Sequence, residues 1–116
     1  MLFAFKKNAV QRLTDSFPTD NFPIDKAVLK NTVQVGRIRY RRCASFCLDK
    51  EGIYLRIRFI FKSYPDIFIP WSFIKEARKS KLYSMKAVEF ILSNSSLPSQ
   101  KIYEKYCDSS FTNYNH

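Results

Sequence analysis

The chain has 116 residues, 46% of them hydrophobic and 16% aromatic, with two glycines, five prolines and a formal net charge of +10. That length holds one domain with a real core and excludes two, and that apolar content excludes a disordered chain. The basic excess lies between Lys30 and Lys86, where 14 basic residues face 4 acidic ones, so the middle of the chain favours anionic partners such as nucleic acid, lipid headgroups or an acidic protein surface.

Leu2, Phe5, Ala9 and Leu13, with Phe3 and Val10 beside them, recur at helical spacing, while Lys6, Lys7, Gln11 and Arg12 fall mostly on the other side. This predicts an amphipathic helix over 2–14. Its plain role is to cover the domain's core. Its alternative role is peripheral binding to an anionic membrane, with Phe3 and Phe5 inserted and the lysines at the headgroups. Residues 15–26 contain Phe17-Pro18 and Phe22-Pro23 and are expected to be an extended linker, because proline fixes its own φ and biases the residue before it.

A β core is expected over 27–92. Val28, Val33 and Val35 suit a first strand, although Asn31 suggests a turn before it. From Gly36 the pattern is clean. Ile38, Tyr40, Ala44, Phe46 and Leu48 fall on one side, and Arg37, Arg39, Arg41, Cys43, Ser45 and Cys47 on the other, with Arg42 the one charge on the apolar side. Asp49-Lys50-Glu51-Gly52 has turn composition, with Gly last where a left-handed conformation costs nothing.

The next strand presents Ile53, Leu55, Ile57, Phe59 and Phe61 to one face and Tyr54, Arg56, Arg58 and Ile60 to the other. If Leu48 sits opposite Ile53, Phe46 meets Leu55, Ala44 meets Ile57 and Tyr40 meets Phe61. The same register sets Ser45 against Arg56, Cys43 against Arg58, Arg41 against Ile60 and Arg39 against Lys62. Apolar meets apolar almost throughout, as a specified register requires. A slip of one residue destroys the match, and a slip of two keeps it.

Ser63-Tyr64-Pro65-Asp66 is a further turn, and Ile67-Phe68-Ile69 a short strand ended by Pro70. Lys75 to Lys81 reads as a loop or an edge strand, and Val88, Phe90 and Leu92 alternate as another strand. Pro98 is suited to open a C-terminal helix over 98–107 with Ile102, Tyr103 and Tyr106 inward. The tail, 108–116, is expected to fray.

The strings Glu51-Gly52-Ile53-Tyr54-Leu55, then Phe59 and Phe61, then Phe68-Ile69-Pro70-Trp71-Ser72 resemble an "EG-x-YL … F-I-P-W-S" pattern of small uncharacterised bacterial proteins. More loosely they resemble GRAM and bacterial pleckstrin-homology-like domains, with Ile69, Pro70 and Ile74 in the matching places. The resemblance covers about residues 36 to 92 and is structural rather than chemical. It implies a small, strongly bent β-sheet or partial barrel closed by a helix. One departure is Tyr64-Pro65-Asp66, where those domains suggest His-Pro-Pro. The expected fold class is thus α+β: a single domain with a strongly bent antiparallel sheet, pleckstrin-homology-like, with an N-terminal and a C-terminal helix.

Catalysis has little to work with. The one histidine, His116, is the last residue, Ser72 lacks the glycines of a nucleophile elbow, and no Cys/His spacing suits zinc. A non-enzymatic protein without a cofactor is expected. Cys43, Cys47 and Cys107 suggest no disulfide framework. Cys43 and Cys47, four residues apart on one strand, stand roughly 13 Å apart, beyond disulfide reach. A bridge to Cys107 stays open. A cytoplasmic setting, at most peripheral to a membrane, is expected, with no secretion signal. The longest apolar region, Ile53 to Trp71, contains Arg56, Arg58, Lys62 and Asp66, which are costly in a bilayer.

Arg37, Arg39, Arg41, Arg56, Arg58 and Lys62 share one face of the expected hairpin. Like charges so placed repel, and a bound anion relieves the repulsion, with each guanidinium able to fork onto phosphate or carboxylate. Tyr54 on that face is a candidate stacking residue, and Trp71 is either core or a contact aromatic. Two function classes follow, beside a small enzyme, for which the residues offer little. One is an interaction module recognising a protein, an acidic ligand or an anionic headgroup; the other is a nucleic-acid-binding β domain using the same face.

Overall fold

The computed structural model describes residues 8–58 and 63–107. Its helix, α1, spans Ala9–Ser16 and begins where Asn8 turns extended and accepts the Gln11 N–H at 2.8 Å. An asparagine there satisfies one of the N–H groups that a helix start leaves orphaned, which sets the boundary. The expected helix over 2–14 is corrected accordingly: it is capped at Asn8 and continues to Ser16. Phe3, Phe5, Lys6 and Lys7, on which the membrane role depends, lie outside the described residues.

Seven strands follow: β1 Val28–Val35, β2 Ile38–Leu48, β3 Gly52–Ile57, β4 Ile67–Pro70, β5 Ile74–Leu82, β6 Met85–Leu92 and β7 Gln100–Tyr103. They form one antiparallel sheet in the order β4-β3-β2-β1-β7-β6-β5. A 3-10 turn, Trp71–Phe73, joins the two outermost strands. The sheet curls into a half-barrel, because both its ends contribute to one core. Ile53, Ile57 and Ile69 share that core with Ile74, Phe90 and Ile102, and the Trp71 ring stands 5.8 Å from that of Phe90. Helix α1 seats Val10 and Leu13 in the same core, fully buried, each contributing roughly 1.5–3 kcal/mol by leaving water.

The expected β2–β3 register is present over its described length: Leu48 opposite Ile53, Phe46 opposite Leu55, Ser45 opposite Arg56 and Ala44 opposite Ile57. Beyond Ile57 the ladder changes. The Arg58 N–H donates to the Cys43 carbonyl at 3.0 Å, and Arg58 forms an isolated bridge with Ser63. The pairings expected for Phe61, Ile60 and Lys62 lie outside the described residues.

Two bulges bend the central strands. Asn31 pairs with Ala44 and Val33 with Tyr40, so Thr32 alone faces residues 41–43. Arg42 takes up the excess with φ +57°. That removes it from the apolar face: Tyr40 and Ala44 stay buried, while Arg42 is exposed. Lys30, at φ +49°, absorbs a second irregularity between Val28 and Asn31.

The C-terminal helix expected over 98–107 is overturned. Gln100–Tyr103 is strand β7, and only Glu104–Tyr106 makes a 3-10 turn. The inner edges of β1 and β6 would otherwise carry unpaired backbone groups. Residues 100–103 satisfy both, Gln34 pairing with Lys101 on one side and Glu89 with Lys101 on the other. Gln100 and Ile102 face the core while Lys101 and Tyr103 do not, a period of two that the inward set Ile102, Tyr103 and Tyr106 had mistaken for helical. The β core thus extends past 92 to Tyr103. Lys75 to Lys81, left between loop and edge, belongs to edge strand β5.

The segment expected as an extended linker is also corrected. After the last turn of α1, Phe17 accepts the Phe68 N–H at 3.0 Å, and the Thr19 N–H donates to the Asp66 carbonyl at 3.0 Å. Residues 17–19 therefore cover the outer edge of β4, an edge that would otherwise invite pairing with another chain. The chain then crosses the convex face of the sheet to enter β1, laying Phe22 against Tyr54 of β3. It is a strap rather than a linker, tied by backbone hydrogen bonds at one end and by a ring contact in its middle. Among the described residues, no helix is long and apolar enough to cross a membrane.

Candidate functional site

The strap and the start of β1 together wall a pocket on the outer face of the sheet. Its cavity, about 440 Å³, has Ile24 and Leu29 as one wall and Cys43 and Ser45 of β2 as its floor. Lys30, Arg42, Arg56 and Arg58 supply the charge, and among the described residues no acidic side chain lines it. Two of these cations, Lys30 and Arg42, are the bulge residues with positive φ. Such backbone is strained for residues other than glycine and gathers at functional sites. The same bulges that bend β1 and β2 thus turn cations toward one cavity. Ser45 ties the two strands at the floor, its Oγ accepting the Lys30 N–H at 3.2 Å.

Of the cations expected on this face, Arg56 is not free. It forks onto Asp66 with two bonds of 2.9 Å, and its guanidinium lies 4.3 Å from the centre of the Phe22 ring. The bonds to Asp66 push its pKa up further, against the opposing effect of burial. Arg56 therefore positions the strap and half-neutralises itself. Arg58 is exposed at the rim. Arg42, set aside in the sequence as an anomaly, belongs to the site, as does Lys30. Alternation alone hid both, since a bulge changes the parity of a strand.

Arg39 and Arg41 stand farther along the outer side of β2. Their guanidinium carbons lie 4.6 and 5.6 Å from the centre of the Tyr83 ring. Tyr83 and Ser84, at φ +51° and +66°, form the two-residue turn between β5 and β6, so the tip of one hairpin reaches a strand that the sheet order sets four places away from β6's neighbour β5. Arg37 is exposed in the β1–β2 turn beside Gly36, whose φ of +63° the turn requires. Lys62 lies outside the described residues.

Neither candidate aromatic is an open platform. Tyr54 packs 4.5 Å from Phe68 and 6.4 Å from Phe22, centre to centre. Burial, and then the carboxylates of Asp49 and Glu51, raise its pKa. Trp71 is half-buried against the core and donates its indole N–H to the Asp49 carbonyl at 2.8 Å. It pins the β2–β3 turn to the end of β4.

All three cysteines are free thiols. Burial raises Cys43 on the pocket floor, and pushes Cys107 up to about 12 with help from Glu104. Each stays protonated and poorly nucleophilic near neutral pH. Among the described residues, no three His, Cys, Asp or Glu side chains gather to hold a metal ion. The arrangement can attract, fork onto and orient an anion with an apolar neighbour. No family model, curated protein or solved structure matches the chain.

Proposed function

We propose that this protein is a non-catalytic interaction module, pleckstrin-homology-like in architecture, that recognises an acidic partner or an anionic headgroup in the pocket beneath the strap. The curled antiparallel sheet with a helix in its core agrees with the bent sheet closed by a helix that the resemblance implies, although the helix is the N-terminal one. The carrying observation is the pocket itself. Lys30, Arg42 and Arg58 are exposed around a cavity that, among the described residues, no acidic side chain lines, and cations so close repel until an anion binds.

The alternative, a nucleic-acid-binding β domain, draws support from a place other than the one expected. Tyr83 rather than Tyr54 is the exposed ring beside arginines, and rings flanked by cations are how single strands are held.

Titration of ¹⁵N-labelled protein, followed by amide shifts, tests the site. Inorganic phosphate, phosphatidylserine vesicles, phosphatidylcholine vesicles and an oligo-dT strand are added at low and high salt. The expected result is salt-sensitive perturbation centred on Lys30, Arg42, Ser45 and Arg58 with anions only. Absence of any perturbation there at about 50 mM salt removes the reading.

A further inference from the structure

The pocket and the Tyr83 tip are joined along one strand. Arg41 and Arg42 are neighbours in β2, and Arg39 and Arg41 both reach Tyr83. A basic strip therefore runs from Arg58 and Arg42 in the pocket to Arg39 and Tyr83 at the far end. Because the bulge at Arg42 sets Ala44 to Arg39 against only the three steps from Asn31 to Gln34, Ser45 to Arg39 is about 13 Å, which an extended ligand of about four residues would span.

The character of the strip changes along its length. At the pocket end, Ile24 and Leu29 are about half exposed, at 47% and 50%, and no apolar partner covers those surfaces among the described residues lining the cavity. Toward the other end the surface is cationic, with Arg39, Arg41 and the exposed Lys81 and Lys86, which sit directly opposite each other in the β5–β6 ladder. A like-charge pair directly across a ladder is unfavourable without an anion nearby.

We propose that this strip binds an extended acidic peptide segment, with one aliphatic side chain seated between Ile24 and Leu29 and carboxylates on Lys30, Arg42, Arg58, Arg41 and Arg39. The proposal rests on the anion-pocket reading and names its partner. Carboxylates match the planar guanidinium forks, and an aliphatic residue matches the aliphatic wall. A headgroup alone would use the pocket and leave the Arg39 end idle. A single-stranded nucleic acid needs open ring faces along its track, whereas Tyr54 is covered by Phe22 and Phe68 and Tyr83 carries a guanidinium on its ring.

The experiment is fluorescence anisotropy with two labelled octapeptides, one of glutamates with a single central leucine and one with glutamine in place of the leucine. Oligo-dT and phosphatidylserine vesicles serve as competitors. The leucine peptide is expected to bind about ten-fold more tightly, the worth of one buried aliphatic side chain. The surface variant Ile24→Ser with Leu29→Ser should erase that difference. Arg42→Glu with Arg58→Glu should weaken both peptides by more than ten-fold, and Arg39→Glu should weaken both by a smaller factor. Circular dichroism of each variant shows whether it is folded.

Equal binding of the two peptides to the unaltered protein overturns the proposal. Vesicles or oligo-dT that perturb the pocket while neither peptide competes also overturn it, yet leave the anion pocket standing. If no probe binds at all, the proposal and the reading beneath it fall together.

Discussion

Substituting Asp66→Asn tests the site and the fold at once. Asp66 holds Arg56 by two bonds of 2.9 Å, and the two side chains are 20% exposed for Arg56 and 13% for Asp66. An exposed ion pair contributes about 0–1 kcal/mol, and breaking a fully buried one costs about 3–5 kcal/mol. This pair lies between, and asparagine keeps one acceptor for the guanidinium, so the expected loss is about 1–2 kcal/mol. For 116 residues, with an unfolding entropy of about 2.1 cal/mol/K per residue, that lowers Tm by about 4–8 °C.

The same change releases Arg56 into the pocket that it already lines. An acidic ligand then meets a fourth unpaired cation and should bind about three-fold to ten-fold more tightly, or about 0.6–1.4 kcal/mol. Thermal unfolding by circular dichroism and anisotropy with the glutamate peptide measure the two effects on one sample. A double-mutant cycle with Arg56→Gln isolates the coupling. A lower Tm with unchanged or weaker peptide binding would refute the idea that Asp66 masks a cation of the site. An unchanged Tm would refute the structural role given to the pair.

Three further outcomes follow from the packing. Gly52→Ala should destabilise by about 3 kcal/mol or more in urea titrations, since a Cβ there would strike the Ile69 carbonyl oxygen and lie 2.8 Å from the Phe68 ring; near-normal stability would mean that β3 and β4 are less closely apposed. Ser84→Gly should stabilise by about 1 kcal/mol, because the Tyr83-Ser84 turn sets two non-glycine residues at positive φ, and a lower urea midpoint would contradict the turn geometry. The Cys107 thiol, raised to about 12 by burial and by Glu104, favours the folded state fully below its unfolded pKa near 9. That contribution is lost as pH rises from about 9 to 12, so Cys107→Ala should flatten the fall of stability in that window. Tyr40 and Tyr54, also raised, leave a residual slope in the variant; an unaltered slope would remove Cys107 from the account.

The hairpin at the heart of the chain was legible because its information is local. Alternation at a period of two and a short turn set Leu48 against Ile53 and Ala44 against Ile57, and the structure has those pairs. Gly52 was expected to take a left-handed turn conformation; instead it has no positive φ and is needed for the close approach of β4. Strand β7 was missed because four residues with alternating burial cannot be told from one helical turn until β1 and β6 flank them. Phe17-Pro18 and Phe22-Pro23 announced extended chain, but not that it would pair with β4 and roof the sheet.

What the sequence determined by itself was that this chain would build one domain with a β core and its positive charge concentrated in the middle, because burial patterns and charge counts need no partner to be read. Only the tertiary structure decided which charges form a site. Asp66, ten residues away, takes Arg56 out of the open set. Thr32, facing three residues at once, lifts Arg42 out of the core and into it. The strap, through Ile24, completes the apolar wall that Leu29 of β1 begins. Each depends on groups brought together from distant parts of the chain, and a pattern of period two carries no record of them.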